Sequence, residues 1–332
     1  MHVGEQVAYS PENLRFARQM GVRHVDTAPA TGLGLEDGGY WRVDALCRLR
    51  EEVESYGLEL AAMHLPLTSA GIEKQIWPSI MLGTSERGRD IDKVCRSIEA
   101  AAQAGITTLL YNLAFLPVVR GNRSPGRGGV TYSHFRYEEM KDDPPHPMGP
   151  LSADDAWERI AYFVERVIPV AESHGVRMGC HQHDPGFPEG VGYRGIERVL
   201  GSIAGVKRFI DLHPSPYHGL NFCQGTIAEM CTSPEQVYDA IRHFGTRRKI
   251  FWVHFRNIVG GFLGFDEVFP DEGDVDMCAA IRAYHEVGYE GVLVPDHVPH
   301  SDLDTPYGHR ARAFCLGYIR GLIQMVESER SA

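Results

Sequence analysis

Residues 249–257 read KIFWVHFRN, a run of large apolar side chains that ends in polar ones. A short apolar run of this kind is typical of a strand that is buried on both faces of a parallel sheet. Similar runs occur along the whole chain. Together they predict eight strands, which are His2–Gln6, Val22–Thr27, Leu58–Leu65, Ile106–Asn112, Val176–His181, Val206–Leu212, Lys249–Phe255 and Gly291–Asp296.

Amphipathic segments with helical spacing separate these runs. Several begin after a capping residue, as Ser10 before Pro11 does. A glycine often stands just before the next strand, as at Gly105 and Gly205, which is typical of the C-terminal end of a helix. The predicted helices are Pro11–Met20, Arg42–Tyr56, Asp90–Ala104, Ala153–His174, Tyr193–Ser202, Pro234–Phe244, Val275–Val287 and His309–Glu327.

Eight strands that alternate with eight helices predict an α/β protein, specifically a (β/α)8 TIM barrel with residues 1–332 as a single domain. The alternative is an open doubly wound sheet, which would place a G-x-G-x-x-G motif after its first strand. Residues 28–41 read APATGLGLEDGGYW, where Gly32 and Gly34 lack the third glycine of that motif. The barrel is therefore favoured.

Two predicted connections are too long to be simple turns. Residues 113–152 contain the stretches RGNRSPGRGG and KDDPPHPMGP, and residues 256–274 are rich in glycine. Both connections leave the C-terminal end of a strand, where barrel enzymes build their sites. We therefore expect long βα loops at the C-terminal face, with residues 113–152 as a loop insertion and a candidate lid.

The composition excludes several classes of protein. Hydrophobic residues make up 43% of the chain and charged residues 23%, which is typical of a globular protein. A net charge of −11 disfavours nucleic acid as a partner, and no apolar stretch is long enough to span a membrane. The seven cysteines form no CxxC pair and the N-terminus does not read as a signal peptide, so we expect a cytoplasmic protein with free thiols.

Polar side chains that can bind a metal appear where predicted strands end. His181, His254 and Asp296 end three strands, and Cys223 follows another in the stretch LHPSPYHGLNFCQGT. In a barrel these positions face one rim, and imidazole, thiolate and carboxylate together suit a first-row metal. Each residue alone is more often structural, since the chain has 16 histidines. The coincidence of the four residues is what predicts a metal site.

The chain resembles the mannonate dehydratases, which are metal-dependent enzymes of the xylose-isomerase-like barrel class. The resemblance rests on SPYHGLNFCQGT at 215–226, VHFRN at 253–257, FDEVFPDEGDVDM at 265–277, PDHVP at 295–299 and PYGHRARAFCLGYIRGL at 306–322. It is weaker in the N-terminal third, through MHLPL and AGITTLLYNLAFLPV. The chain departs from the family pattern at HQHDPG (181–186), at His218-Gly219 and at VRGNR (119–123), all of which we expect in substrate-contacting loops.

The resemblance implies one divalent metal, Mn²⁺ or Fe²⁺, held by His181, Cys223, His254 and Asp296, with no organic cofactor. It implies a hydro-lyase of hexuronate catabolism that removes the C2 proton and the C3 hydroxyl of D-mannonate or a related aldonate, giving a 2-keto-3-deoxy acid. His297 and Tyr307 are the candidates for acid and base, with His183 as a third, and which of them gives the proton is open.

The remaining predicted contacts are with a small sugar-acid substrate. Arg256 is expected to bind the substrate carboxylate, because a planar guanidinium fits a carboxylate best. Further candidates for substrate binding are His64, Asn112, Arg120 and His218. Two alternatives are kept, a metal-dependent sugar or sugar-acid isomerase or epimerase, and more distantly a non-catalytic metal-binding module. Related barrels commonly form dimers, so a homodimer is expected.

Overall fold

In a computed structural model, which describes residues 1–29 and 31–329, eight parallel strands of the described chain close into a barrel. The eight strands are β1 (His2–Val7), β2 (His24–Thr27), β3 (Glu59–His64), β4 (Thr108–Tyr111), β7 (Arg177–His181), β8 (His218–Cys223), β9 (Ile250–His254) and β12 (Val292–Val294). Around the barrel their order is β1-β12-β9-β8-β7-β4-β3-β2, which confirms the predicted (β/α)8 class.

Helices cover the outside of the barrel, and local sequence signals fix several of their ends. The hydroxyl of Ser10 accepts a hydrogen bond from the backbone N–H of Asn13 at the start of the first helix, and Pro11 follows it. The helices are α1 (Pro11–Gln19), α2 (Leu35–Gly38), α3 (Val43–Ser55), α4 (Ser79–Leu82), α5 (Arg87–Gln103), α6 (Tyr137–Met140), α7 (Ala153–Ser173), α8 (Ile203–Asp211), α9 (Gln224–Ala228), α10 (Glu235–Thr246), α11 (Met277–Glu286) and α12 (His309–Glu329), with 3₁₀ turns at Ile72–Lys74 and Arg127–Gly129.

The sixth predicted strand is wrong. Residues 206–212 fall largely within α8, and the barrel strand is β8, while the helix predicted at 193–202 is a series of turns. Val206, Phe209 and Ile210 have the i, i+3, i+4 spacing of one buried helix face, and Ser202 caps the helix. Gly205 therefore stands inside a helix rather than before a strand.

The barrel interior is filled by apolar side chains away from the C-terminal rim. Ala62, Leu110, Trp252, Val292 and Val294 form this cluster. A Cβ on Gly4 would lie 2.3 Å from Cγ1 of Val292, so only glycine fits at this point of β1. A larger apolar cluster fills the space between the strands and the helices. The polar side chains at the C-terminal ends of the strands are therefore held on a packed support.

The two long connections meet in a second sheet. Residues 113–152 contain β5 (Arg123–Pro125) and β6 (Thr131–Arg136), and the connection after β9 forms a hairpin of β10 (Asn257–Gly261) and β11 (Gly264–Val268). The order is β10-β11-β6-β5, and β11 pairs with β6 in antiparallel register. The insertion is thus an ordered layer attached to the hairpin, and its role as a lid stays a prediction. None of the described helices has the length and apolarity needed to cross a membrane.

Candidate metal centre and substrate cavity

Four adjacent strands each bring one metal-binding side chain to the C-terminal rim. His181, Cys223 and His254 are the last residues of β7, β8 and β9, and Asp296 follows β12. One donor atom from each lies within 4.8 Å of the other three. The side chains of this group, called the quartet below, are those that the strand-end pattern selected, although Cys223 ends a strand rather than lying in a loop.

The hydrogen bonds around the quartet leave donor atoms free for a cation. His181 donates from Nδ1 to the carbonyl oxygen of Gln182 at 2.7 Å, which leaves its Nε2 without a proton. Nδ1 of His254 is buried without a hydrogen-bond partner, 3.4 Å from Oδ2 of Asp296. Two imidazoles, a thiolate and a carboxylate at these separations fit one divalent first-row metal ion.

The charges around Cys223 favour its thiolate form. Burial by itself would raise the pKa of the thiol, but Arg256 and the two histidines of the quartet lower it well below its usual value. The sulfur also accepts a hydrogen bond from the backbone N–H of Thr226 at 3.4 Å. Since the thiolate is the form that binds metals, Cys223 is prepared as a ligand.

Arg256 does not lie where the sequence analysis expected it. Its side chain is 3% exposed, and it contacts Oδ2 of Asp296 at 3.1 Å and Oδ2 of Asp184 at 3.0 Å. It also lies 2.8 Å from Oε1 of Glu229. Buried carboxylates occupy its donors, so Arg256 holds a member of the quartet, and its binding of the substrate carboxylate stays a prediction.

Arg120 is also buried in an ion cluster rather than directed at a substrate. It contacts Oδ1 of Asp184 and Oε1 of Glu267, each at 2.5 Å. Burial alone would raise the pKa of Glu267, but His297 and the two arginines lower it to about 2. Arg120, Arg256, Asp184, Glu229 and Glu267 are called the ion cluster below.

A cavity of about 490 Å³ opens beside the quartet. Most of the residues that line it are polar, with hydroxyl, amide, imidazole and guanidinium groups that suit a small substrate rich in hydroxyls. The predicted residues His64, Asn112, His297 and Tyr307 all line it. Its other polar side chains are those of Gln6, Thr27, Thr68, Ser69, His181, Asp184, Asn221, His254, Asp296 and Arg312.

Two predicted histidines lie away from this cavity. Nε2 of His183 donates to the carbonyl oxygen of Leu113 at 3.1 Å and its Nδ1 accepts from the N–H of Leu200 at 3.3 Å, so neither nitrogen is free to exchange protons. Burial lowers the pKa of His183 to about 3. His218 begins β8, five residues before Cys223 at the other end of that strand, and bonds the carbonyl of Phe209. Neither histidine is therefore placed for its predicted role.

Only some of the residues that depart from the family pattern lie at the cavity, where substrate-contacting loops were expected. Asp184 lines the cavity while it pairs with Arg120 and Arg256, and His218 lies at the far end of its strand. Gln182 accepts a hydrogen bond at Oε1 from the backbone N–H of Cys223 at 3.0 Å. The residues at these departures therefore support the barrel and the quartet as much as they shape the cavity.

His297 and Tyr307 reach the cavity from the chain after β12. Nδ1 of His297 lies 2.6 Å from Oε1 of Glu267, which fixes the ring. Burial lowers the pKa of His297, but Asp296 and Glu267 outweigh this and raise it to about 9. The hydroxyl of Tyr307 lies 2.9 Å from Oε1 of Glu5, and burial raises its pKa above the usual value.

The sequence analysis missed three charged residues at this rim. Arg312 lines the cavity and lies 2.5 Å from Oε1 of Glu5, and its guanidinium stacks 4.5 Å from the ring centre of Tyr307. Asp26 lies 3.3 Å from Nε2 of His64. The available signal was a carboxylate inside each of two predicted barrel strands, HVGEQV and HVDT. Arg312 stood within one of the motifs that carried the resemblance.

Comparison with known proteins identifies relatives over most of the chain. "Mannonate dehydratase 2" of Halalkalibacterium halodurans is 27% identical over 325 residues, covering 88% of this chain and 89% of the relative. The mannonate dehydratase of Streptococcus equi subsp. zooepidemicus is 29% identical, covering 86% of this chain and 84% of the relative.

Solved structures give the same relationship. The crystal structure of mannonate dehydratase from Streptococcus suis serotype 2 matches with a TM-score of 0.85 at 26% identity, covering all of this chain and 95% of that one. An L-ribulose 3-epimerase matches with a TM-score of 0.61 at 14% identity, which shows a shared fold only. The family model of D-mannonate dehydratase (UxuA) matches residues 147–332, more than half of the sequence. The chain therefore belongs to the D-mannonate dehydratase (UxuA) family.

Proposed function

We propose that the protein is a hydro-lyase that dehydrates D-mannonate, or a closely related aldonate, to a 2-keto-3-deoxy acid. The observation that carries the proposal is the quartet, whose four donor atoms lie within 4.8 Å of one another beside a polar cavity. Membership of the UxuA family supports the same reaction. A homodimer in the cytoplasm is the form in which we expect the enzyme to act.

His181, Cys223, His254 and Asp296 are the residues that would hold one divalent metal ion. A carboxylate with two imidazoles favours Mn²⁺ or Fe²⁺, and the thiolate favours Fe²⁺ further. When bound, such an ion supplies Lewis-acid stabilisation of the negative charge that develops when the proton next to a carboxylate is removed. The family's need for a metal agrees with this donor set.

Tyr307 is assigned to donate a proton to the departing C3 hydroxyl. Because its pKa is raised by burial and by Glu5, the hydroxyl stays protonated at neutral pH. His297 is assigned to take the C2 proton. Its pKa is raised mainly by the charge of Asp296, and a cation held by Asp296 would weaken that effect and let the ring accept a proton.

The rest of the cavity is assigned to substrate binding. His64 and Asn112 offer hydrogen bonds to sugar hydroxyls, and Arg312 replaces Arg256 as the guanidinium that faces the substrate. Nε2 of His64 contacts Nε2 of Gln6 at 3.1 Å, which orients its ring. A sugar acid has several hydroxyls and one carboxylate. His64 and Asn112 suit the hydroxyls, and the guanidinium of Arg312 suits the carboxylate.

The test is the reaction of anaerobically purified, Mn²⁺- or Fe²⁺-loaded protein with D-mannonate in D₂O, followed by NMR. The proposal predicts a 2-keto-3-deoxy acid that carries deuterium at C3. Deuterium at C2 of unconverted substrate without loss of water would identify an epimerase instead. A protein that binds the metal but leaves D-mannonate and a panel of other aldonates unchanged would refute the proposal.

A further inference from the structure

We propose that Glu5 is the proton-relay residue of Tyr307. Glu5 protonates the tyrosine oxygen again when Tyr307 gives its own proton to the departing hydroxyl group. Glu5 acts through Tyr307 and is a positioning residue rather than one that touches substrate. The inference rests on the proposed function, since it assigns a partner to the acid of that reaction.

The hydrogen bonds of Tyr307 require one more proton than an ionised Glu5 provides. The tyrosine oxygen lies 2.9 Å from Oε1 of Glu5 and 3.1 Å from the carbonyl oxygen of Gln6. A carbonyl oxygen can only accept, and the tyrosine has a single hydrogen to donate. If Glu5 is protonated, its carboxyl group donates to Tyr307 while Tyr307 donates to Gln6, and both contacts of the tyrosine oxygen are satisfied.

The surroundings of Glu5 keep that proton available near neutral pH. The residue is fully buried, and its Oε2 has no hydrogen-bond partner among the described residues. Burial raises the pKa of Glu5 to about 7, because it outweighs the opposing effect of Arg312. The titratable groups that face Glu5 are Arg312, Tyr307 and Cys315 from the C-terminal segment and Asp26 from β2.

The relay balances its protons. The O–H bond of Tyr307 breaks as the C3 hydroxyl leaves the substrate as water, and the proton of Glu5 moves to the tyrosine oxygen. Glu5 is left as a carboxylate 2.5 Å from Nη1 of Arg312, which stabilises the new charge. His297 holds the proton taken from C2, releases it to water, and Glu5 regains a proton from water before the next cycle.

The experiment compares the metal-loaded wild type with Glu5→Gln and Glu5→Asp. Glu5→Gln keeps an oxygen near Tyr307 but has no carboxyl proton, so we expect kcat to fall about tenfold or more with little change in KM or metal content. In the wild type, we expect kcat to fall as the pH rises above about 7, where Glu5 loses its proton. This decline is absent in Glu5→Gln and returns in part in Glu5→Asp.

Infrared spectroscopy supplies a readout that is independent of turnover. The C=O stretch of a protonated carboxyl group is expected in the wild type at pH 6, should disappear as the pH passes 7, and should be missing from Glu5→Gln. Absence of a band that titrates near pH 7 in the wild type would overturn the relay, even if the variants do not fold.

The outcomes separate this inference from the proposed function. A wild type that consumes D-mannonate, together with a Glu5→Gln variant of equal kcat and unchanged pH profile, overturns the relay alone. A wild type that leaves all aldonates unchanged overturns the proposed function and the relay with it.

Discussion

Nε of Arg256 lies 3.1 Å from Oδ2 of Asp296, the carboxylate oxygen that also lies 3.4 Å from Nδ1 of His254. The guanidinium is therefore a neighbour of the proposed metal ligand and reaches onward to Asp184 and Glu229. Residues that orient a metal ligand affect metal affinity as well as activity. This contact changes what a substitution of Arg256 is expected to do.

Arg256→Lys is expected to weaken metal binding about 10- to 100-fold and to lower kcat, rather than only to raise KM. An ammonium group cannot contact Asp296 and Asp184 together in the way a guanidinium fork does. Isothermal titration with Mn²⁺ under anaerobic conditions measures the affinity. Arg242→Lys, which alters an exposed pair with Glu286, is the matched control. Wild-type metal affinity with a raised KM for D-mannonate would restore the substrate-binding role.

His254→Ala is expected to abolish stoichiometric metal binding and turnover together, because it removes one of the four donors. Metal content after gel filtration and dehydratase activity are the two measurements. The control is His300→Ala, an exposed histidine four residues beyond Asp296. A variant with one bound metal per chain and full turnover would show that the quartet is not the metal site.

Arg120→Ala is expected to reduce the free energy of unfolding by about 3–5 kcal/mol, since it leaves buried carboxylates short of a counter-ion. Arg127→Ala removes a half-exposed pair with Asp271 from the same insertion and is expected to cost about 1 kcal/mol or less. Urea denaturation of the metal-free proteins compares the two. Equal losses would mean that the ion cluster does not anchor residues 113–152.

His218 makes the stability of the protein depend on pH. Burial lowers its pKa to about 4 from an ordinary value of 6.5, so between these pH values the unfolded chain binds a proton that the folded chain does not. Its contribution is complete above pH 6.5 and is lost as the pH falls to 4, by at most about 3 kcal/mol. His218→Gln is expected to flatten this part of the stability curve, measured by denaturation without metal.

The control for this measurement is His174→Gln, which replaces an exposed histidine at the end of α7. Its pH dependence should match that of the wild type. If the His218→Gln curve is as steep as the wild-type curve between pH 4 and 6.5, another group is responsible for the acid sensitivity.

The barrel could be predicted because seven of its strands are apolar runs set off by amphipathic helices. The eighth, β8, could not, since HGLNFC carries polar residues whose bonding partners are distant in sequence. Nδ2 of Asn221, for example, lies 3.3 Å from Nε2 of His254 in β9. The neighbouring run at 206–212 was more apolar, and short apolar runs do not distinguish a strand from a helix.

Barrel topology brings strand ends together, so position at a strand end was sufficient to predict His181, His254 and Asp296. Cys223 was selected from the stretch after a misplaced strand, because a thiolate there could join the other three donors. The partners of Arg256 and Arg120 could not be predicted, because Asp184, Glu229 and Glu267 come from three separate connections. An arginine beside a predicted metal site reads equally well as a substrate contact or as a buried counter-ion. Only the packing of those connections decides between the two.

Each strand of the set β7, β8, β9 and β12 contributes one member of the quartet, and these strands are neighbours in the closed barrel although Asp296 is far from His181 along the chain. No short peptide of this protein contains a chelating pair of these residues. The complete donor set therefore exists only once the last strand has joined the barrel, and high-affinity metal uptake would report that closure. A time-resolved metal indicator could follow the final step of folding in a chain that carries no added label.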